Sequence, residues 1–275
     1  MLNRFLCFTF AIFIALSIVV YAHEQKVTIE GDHGKLQAVI QTPKGKTKYP
    51  MVMILHGFLA NKEMDLLKNL ADGLEKKGIA SIRFDYNGHG ESDGLFQDMT
   101  VQNEIEDTKK VYNYIKNFPE ITSISMVGHS QGAIVASMTS GELGEEKIKC
   151  IALMSPAPII HEDSLRGIFL GRIFNPINLP EYLDVNGHKV GRAYLENIQN
   201  IQIFEVSSKF KGKAYMIHGT ADTLIPYTDS IRYSRIFPNS EVHLLSGFDH
   251  NFTQDISKPN KIICDYFVDE LLIKP

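Results

Sequence analysis

The chain has 275 residues, with 28 basic and 32 acidic side chains and a formal net charge of −4. That length suits one large domain, or one domain that carries an insertion. Hydrophobic residues make up 44% of the chain and charged residues 22%, which is ordinary for a soluble globular protein. The slightly acidic balance excludes the basic surface expected of a nucleic-acid-binding protein.

The first 22 residues have the composition of a secretory signal peptide. Arg4 precedes an uncharged apolar stretch at residues 5–20, and Val20-Tyr21-Ala22 follows as a small-x-small cleavage pattern. The apolar stretch is shorter than the roughly 20 residues needed to span a bilayer, and an uncleaved membrane anchor is the alternative. We therefore expect cleavage after Ala22 and a secreted or periplasmic protein without stable membrane association.

The rest of the chain alternates short apolar runs with amphipathic segments. A first strand pair closes at residues 39–41. The later elements are predicted, in order, as strand 51–55, helix 66–77, strand 79–84, helix 101–118, strand 123–127, helix 132–140, strands 150–154, 214–217 and 242–245, and helix 260–272. Continuous apolar runs are typical of strands buried on both faces. The alternation predicts an α/β protein with a mostly parallel central sheet flanked by helices.

One stretch, between Met154 and Lys213, breaks this alternation. It is too long for a plain loop, and it contains an Asn186-Gly187 hairpin signal and a helix-like run at residues 192–201. We expect residues 157–210 to form a cap inserted into a catalytic domain made of residues 23–156 and 211–275. Ligands of open parallel sheets bind beyond the carboxyl ends of the strands, so the cap is placed to cover a pocket.

Two cysteines would remain after signal cleavage, Cys150 and Cys264. Cys150 stands in an apolar run and Cys264 in a late amphipathic segment, and neither has the CxxC spacing of a zinc or redox site. Free cysteine is a common core residue. We expect two unpaired thiols, with a disulfide between them as the alternative.

A candidate nucleophile lies in the pentapeptide GHSQG at residues 128–132. It follows a predicted strand and precedes a helix rich in small residues, which is the setting that a G-x-S-x-G elbow requires. The flanking glycines permit the sharp turn that exposes the Ser130 hydroxyl. A serine hydroxyl is a poor nucleophile at neutral pH, so a base must accept its proton.

Of the ten histidines, we expect His250 to be that base, because it follows the last predicted strand. Asp222 follows the penultimate strand and is the expected partner of the imidazole, which gives the chain order Ser…Asp…His. Asp229, at a predicted helix start, and Asp249, adjacent to the histidine, are the alternatives. The expected oxyanion donors are the main-chain N–H groups of Gln131, after the nucleophile, and of Phe58, in the loop after residues 51–55.

Metal and nucleotide sites are not predicted. The chain has no H-E-x-x-H pattern, and the glycines of GHGESDG at residues 88–94 lack phosphate-binding spacing. We therefore expect neither a metal ion nor a cofactor.

With these motifs, the sequence resembles the α/β-hydrolase superfamily across residues 27–272, and more narrowly the bacterial feruloyl (cinnamoyl) esterases. The matching stretches are HGFLANK (56–62), RFDYNGHGESDG (83–94), NEIEDTKKVYNYIK (103–116), VGHSQGA (127–133), HGTADTLIP (218–226) and GFDH (247–250). The resemblance implies the α/β-hydrolase fold, the same triad and the same oxyanion donors.

The resemblance also implies that two cap residues, Asp163 and Tyr194, hold the phenolic end of the substrate. A helix cap for Asp163 and a packed side chain for Tyr194 are the alternatives. Two positions depart from the pattern: Ala133 stands where a second glycine is usual, and Leu170 replaces a polar cap residue.

We expect a secreted serine esterase that hydrolyses carboxylic esters, hydroxycinnamoyl (feruloyl or p-coumaroyl) esters foremost, through an acyl-enzyme. A short-chain acyl esterase, a lipase or a serine peptidase of the same fold is the alternative, and a non-catalytic binding protein is a more distant one. The expected partner is a small-molecule or polysaccharide-linked ester. The oligomeric state stays open, a homodimer included.

Overall fold

A computed structural model of the protein describes residues 24–273. The signal-peptide interpretation, with its cleavage site at Ala22, lies outside the described residues. Within them, no helix has both the length and the apolar character required to cross a membrane.

The described residues form twelve strands and eight helices. The strands are β1 (Glu24–Glu30), β2 (Lys35–Gln41), β3 (Tyr49–Leu55), β4 (Ala80–Phe84), β5 (Ile121–His129), β6 (Cys150–Met154), β7 (Ile168–Phe169), β8 (Arg172–Ile173), β9 (Tyr182–Val185), β10 (His188–Gly191), β11 (Lys213–Gly219) and β12 (Asn239–Leu245). The helices are α1 (Asp65–Lys76), α2 (Val101–Ile115), α3 (Gln131–Leu143), α4 (Ile159–Leu165), α5 (Arg192–Asn200), α6 (Ile203–Ser207), α7 (Thr228–Ser234) and α8 (Ser257–Leu271).

Eight of the strands form one sheet in the order β1-β2-β4-β3-β5-β6-β11-β12. The β1–β2 and β2–β4 pairs are antiparallel, and the remaining pairs of this sheet are parallel. The predicted mostly parallel sheet is therefore confirmed. Because β3, β5, β11 and β12 run in the same direction, the loops after them meet at one edge of the sheet.

Helices cover both faces of the sheet. Val52 and Ile54 of β3 pack in the cluster that contains the apolar stripe of α1 and residues of α8. Met51 and Met53, which alternate with them, pack in the opposite cluster with residues of α2 and α3. Both sets are buried because successive side chains of a strand point to opposite faces.

Several predicted boundaries differ from the structure by one to three residues, and the end of α2 is an example. Helix α2 ends at Ile115 and not at residue 118. Phe118 precedes Pro119, and a residue before proline is disfavoured in the helical region. The chain therefore leaves the helix before the proline and enters β5.

Residues 157–210 contain α4, two hairpins, α5 and α6. The β9–β10 hairpin turns at Asn186 and Gly187, which both have positive φ (54° and 83°), as the Asn-Gly signal predicts. Tyr194, Leu195 and Ile198 of α5 are buried in the same hydrophobic cluster as α2 and α3. The cap thus shares its core with one face of the main sheet.

Both cysteines in the described part of the chain are free and buried. Cys150 lies on β6 with its Sγ 3.3 Å from the Ser125 Oγ, and Cys264 lies on α8. The expectation of two unpaired thiols is confirmed.

Candidate active site

Ser130 occupies a strained turn between β5 and α3. Its backbone has φ 56° and ψ −119°, a conformation that side-chain-bearing residues rarely adopt. A Cβ on Gly128 would lie 2.1 Å from the Gly132 carbonyl oxygen, and one on Gly132 would lie 2.4 Å from the His56 carbonyl oxygen. Only glycine fits these two positions, and this close packing holds the serine at the apex of the turn.

The structure brings Ser130, His250 and Asp222 together. The His250 Nε2 lies 2.9 Å from the Ser130 Oγ, and its Nδ1 lies 2.6 Å from the Asp222 Oδ2. Ser130 follows β5, Asp222 follows β11 and His250 follows β12, so the parallel sheet delivers all three to one edge. Such a line can pass the serine proton to the imidazole while the carboxylate fixes the ring.

Asp222 is held by four hydrogen bonds. Its Oδ1 accepts the N–H groups of Leu224 (2.9 Å) and Ile225 (2.8 Å), and its Oδ2 accepts from His250 and from His218 Nε2 (3.0 Å). Burial of the carboxylate favours its neutral form, but the hydrogen bonds from His218 and His250 outweigh burial and hold the pKa of Asp222 well below its ordinary value. The acid therefore stays ionised beside the imidazole.

His218 is a site residue that the sequence reasoning did not select. It is fully buried at the end of β11, and its Nδ1 lies 2.9 Å from the Ser230 Oγ. Its position four residues before Asp222 is the sequence signal that could have identified it. It shares the Asp222 Oδ2 with His250 and so helps to fix the carboxylate.

The two predicted oxyanion segments flank the serine. A Cβ on Gly57 would lie 2.9 Å from the Ser130 Cβ, so the loop that carries Phe58 passes directly beside the nucleophile. Gln131 is the first residue of α3, where a main-chain N–H has no acceptor within the helix. Both segments thus lie next to Ser130, and donation of their amides to an oxyanion remains a prediction.

A buried ion pair fixes the Phe58 loop. The Lys62 ammonium lies 2.7 Å from the Asp85 Oδ2, and the Lys62 main-chain N–H donates to the Asp85 Oδ1 at 2.7 Å. Asp85 also accepts the N–H of Glu91, at 2.8 Å. Through this contact the RFDYNGHGESDG segment holds the HGFLANK segment in place.

Three other histidines near the site are buried and neutral. Burial lowers the pKa of His56 and His129 to about 3 and that of His89 to about 4. The His56 Nδ1 donates to the Gly57 carbonyl while its Nε2 accepts from the Tyr86 N–H, which fixes its tautomer. The His129 Nε2 lies 2.9 Å from the His250 carbonyl oxygen. These rings support the loops, and none of them contacts the Ser130 hydroxyl.

The two alternative acids are engaged elsewhere. Asp229 accepts the Ile159 N–H at 3.1 Å and pairs with Arg232 at 3.1 Å, which ties the cap to α7. Asp249 accepts the main-chain N–H groups of Asn251 (3.1 Å) and Thr253 (2.9 Å) in its own loop. Neither carboxylate contacts the His250 ring.

A cavity of about 140 Å³ opens beside the Ser130 hydroxyl. Apart from His129, Gln131, His250 and Asn251, its lining consists of the nucleophile and of small or apolar residues. These are Gly57, Phe58, Ala60, Met64, Ala157, Ile160, Phe169, Leu170, Leu224 and Ile225. This lining suits an apolar ligand group.

Asp163 and Tyr194, the expected phenol-binding residues, are not among the residues that line this cavity. Asp163 lies on α4 beside Arg166, 3.6 Å away, with 34% of its side chain exposed. Tyr194 is fully buried, and its hydroxyl donates to the Gln131 side-chain oxygen at 2.7 Å. Leu170, where the resemblance leads one to expect a polar residue, does reach the cavity. It lies in the two-residue turn between β7 and β8, where its backbone has φ 45°.

Among the described residues, no group of three or more His, Cys, Asp or Glu side chains is arranged to hold a metal ion. At Ser130 a hydroxyl, an imidazole and a carboxylate are in hydrogen-bond contact, which is the arrangement used for acyl transfer by a serine nucleophile.

The chain is similar to known hydrolases. Residues 47–178 match the family described as "Serine aminopeptidase, S33". Est1E from Butyrivibrio proteoclasticus, in a structure with ferulic acid bound, superposes with a TM-score of 0.86 at 29% identity, over 89% of this chain and 98% of Est1E.

Curated relatives match shorter segments. Esterase EstD of Thermotoga maritima is 28% identical over 171 residues, which cover 59% of this chain and 40% of EstD. A 31.7 kDa protein of Escherichia coli is 30% identical over 125 residues, which cover 44% of this chain and 43% of that protein. The alignments thus span less than half the length of these relatives. By sheet order, by the elbow at Ser130 and by these similarities, the chain has the α/β-hydrolase fold and resembles the feruloyl esterase-like proteins of that fold.

Proposed function

We propose that the protein is a serine esterase that uses Ser130 as nucleophile, His250 as base and Asp222 as orienting acid. The observation that carries the proposal is the unbroken line from the Asp222 carboxylate through both His250 nitrogens to the Ser130 hydroxyl, with distances of 2.6 and 2.9 Å. The line ends at a cavity that is open to an acyl group. The similarity to EstD supports the same reaction class.

The reaction follows from this geometry. The Ser130 Oγ attacks the ester carbonyl as His250 Nε2 takes its proton, and the N–H groups of Phe58 and Gln131 bind the resulting oxyanion. His250 then gives the proton to the leaving alcohol, and the carbon–oxygen bond breaks to leave an acyl-Ser130 ester. Water, deprotonated by His250, attacks this ester and releases the acid, which restores the serine hydroxyl.

Replacement of the nucleophile tests this mechanism. Ser130→Ala should lower kcat for p-nitrophenyl butyrate by at least about 10⁴-fold, because residues of a triad act as a unit. A fluorophosphonate probe should label the native chain and not the variant. Ser208→Ala is a matched control, since the Ser208 hydroxyl bonds only within the cap, to the Glu205 carbonyl at 2.8 Å. Wild-type turnover by Ser130→Ala would contradict the mechanism.

For the substrate, we propose hydroxycinnamoyl esters such as feruloyl and p-coumaroyl esters. Two observations support this choice: the similarity to Est1E with ferulic acid bound, and a cavity with the aromatic side chains of Phe58 and Phe169 in its lining. The small-molecule or polysaccharide-linked ester would place its carbonyl at Ser130 and its ring among these side chains.

A short-chain or unsubstituted acyl ester is the second candidate. It is favoured by the apolar cap surface of the cavity, where Ile160, Phe169 and Leu170 offer no side-chain partner for a ring hydroxyl. Comparison of kcat/KM for methyl ferulate, methyl cinnamate and p-nitrophenyl butyrate separates the two. A higher kcat/KM for methyl ferulate than for methyl cinnamate supports the hydroxycinnamoyl proposal. A higher kcat/KM for methyl cinnamate supports the second candidate. Cleavage of aminoacyl p-nitroanilides in preference to all three would point to a peptidase.

We also propose export of the protein, on the composition of residues 1–22. Amino-terminal sequencing of the protein from the medium, the periplasm or a membrane fraction tests this. A mature chain that begins at His23 is expected, and an intact Met1 in the membrane fraction would indicate an anchor.

A further inference from the structure

The side chain of Gln131 links two other buried polar side chains. Its Nε2 donates to both carboxyl oxygens of Glu104, at 2.9 and 2.8 Å, and its Oε1 accepts the Tyr194 hydroxyl at 2.7 Å. The exposed fractions are 1% for Glu104, 1% for Gln131 and 0% for Tyr194. These contacts define the Glu104–Gln131–Tyr194 line, which the triad mechanism does not use.

The line joins three separate parts of the fold at the oxyanion site. Glu104 comes from α2, Gln131 begins α3 directly after the nucleophile, and Tyr194 comes from α5 of the cap. The Tyr194 ring also packs against Phe58, with centroids 5.8 Å apart, and against Phe169 at 5.1 Å. One tyrosine therefore contacts both residues that supply the oxyanion donors.

The contacts in the structure define the orientation of the Gln131 amide. The phenol donates to the amide oxygen, and the amide nitrogen donates to the Glu104 carboxyl oxygens. A buried polar network that is fully satisfied restrains its members. The Gln131 side chain is thereby held at both ends, at the residue whose main-chain N–H faces the developing oxyanion.

We propose that Glu104, the Gln131 side chain and Tyr194 position the oxyanion donors of Gln131 and Phe58, and that Tyr194 connects the cap to the elbow in this way. This rests on the proposed esterase function. Tyr194 then acts as a positioning residue beneath the site and not as a contact for the substrate ring.

Charge on Glu104 would oppose this role. Burial raises the pKa of Glu104 to about 8, since the hydrogen bond from Gln131 lowers it by less and the nearby Asp107 raises it further. The carboxyl is therefore neutral near pH 7. Its ionisation at higher pH would place a negative charge beneath the oxyanion donors, where a second negative charge develops in the transition state.

The groups that face Glu104 come from several elements. Asp107 lies on α2, Tyr86 follows β4 and Tyr194 lies on α5, and each interacts electrostatically with the Glu104 carboxyl. On its other side Glu104 borders a cavity of about 190 Å³, whose titratable lining also includes His33 and Asp98. Glu104→Gln removes the titration of this one carboxyl and leaves these neighbours unchanged.

Kinetics of two conservative variants test the proposal. Tyr194→Phe should lower kcat for p-nitrophenyl butyrate about tenfold with KM within about twofold, because the lost restraint matters most in the transition state. In the native enzyme kcat should decline above about pH 8, and Glu104→Gln should lose this decline. The matched controls are Tyr182→Phe, at an exposed cap tyrosine, and Glu106→Gln, on the same helix.

Three results would overturn the proposal: native kcat in Tyr194→Phe, an effect confined to KM, or the same alkaline decline in Glu104→Gln as in the native chain. If Tyr194→Phe melts below the assay temperature, the pH dependence of kcat in Glu104→Gln alone tests the proposal.

A melting experiment separates this proposal from the esterase assignment. The folded pKa of Glu104 lies above its unfolded value, so its contribution to stability should decrease as pH rises from about 4.5 to about 8. The melting temperature of Glu104→Gln should therefore fall less than that of the native chain over this range, whether or not the chain hydrolyses esters. Equal pH dependence in both proteins would contradict a neutral buried Glu104. Absence of both ester turnover and fluorophosphonate labelling in the native chain would instead contradict the esterase proposal.

Discussion

The loops around Ser130 and the cap above them are held by different forces. Around Ser130, close backbone packing at Gly128 and Gly132 and a chain of hydrogen bonds through Asp222 fix each group. The cap consists of short helices and hairpins, and two of its isoleucines, Ile173 and Ile177, are 85% and 95% exposed. The comparison indicates that the geometry around Ser130 is more tightly specified than that of the outer surface of the cap.

The largest expected effect on kcat comes from replacing Asp222, the carboxylate that contacts His250. Asp222→Asn should lower kcat about 10⁴-fold, because the Asp222 Oδ2 accepts from both His250 and His218 and an amide cannot replace the carboxylate there. Steady-state kinetics with p-nitrophenyl butyrate measure this loss. In the cap-anchoring Asp229→Asn variant, kcat should stay within about tenfold of the native value. Equal losses in the two variants would mean that Asp222 does not have the proposed role.

A pair of glycine substitutions compares the two regions in stability. Gly132→Ala should destabilise the fold by about 3 kcal/mol or more, because its Cβ would lie 2.5 Å or less from two main-chain carbonyl oxygens. Gly187→Ala, in the β9–β10 turn, meets no atom within 4 Å and carries only the strain of φ +83°, about 1 kcal/mol. Urea unfolding of both variants measures the difference. Equal destabilisation would show that the elbow relaxes as easily as the hairpin.

The loss of folding stability at acidic pH should arise mainly from buried histidines in the loops around Ser130. His56, His89 and His129 have folded pKa values of about 3, 4 and 3, below the ordinary 6.5. The unfolded chain therefore binds protons first, and stability should fall as pH drops from about 6.5 toward 4. His129→Gln should reduce the loss between pH 6.5 and 4.5 by about 2 kcal/mol. Urea unfolding at both pH values gives the comparison, and an unchanged loss in the variant would contradict a neutral buried His129.

The smallest expected effect concerns the cap surface of the cavity. Leu170→Asn places a polar group beside the substrate and suits the left-handed backbone at this turn, where φ is 45°. The ratio of kcat/KM for methyl ferulate to that for methyl cinnamate should rise about threefold, since one exchanged contact in a pocket alters discrimination modestly. The exposed Ile173→Asn, on the adjoining strand β8, should leave the ratio unchanged. A shift of equal size in both variants would place recognition of the ring elsewhere.

Much of the fold, and the approach of the three side chains that we propose as the triad, could be predicted from the sequence. Apolar runs such as residues 51–55 and 150–154 are typical of strands inside a covered sheet, and the parallel order brings the loops after them to one edge. The elbow at Ser130 is a local property as well, because glycines at positions 128 and 132 are required by contacts within the turn and with the neighbouring strand.

The part that could not be predicted depends on packing between distant segments. Tyr194 was expected at the substrate, but its surroundings are set by where α5 lies on α2 and α3, and there its hydroxyl meets Gln131. The neutral carboxyl of Glu104 and the second partner of Asp222, His218, follow in the same way from burial and from contacts between separate elements. Short-range sequence patterns determined which groups can react. Only the tertiary structure decided which groups support them, because burial and hydrogen-bond partners are properties of the assembled fold.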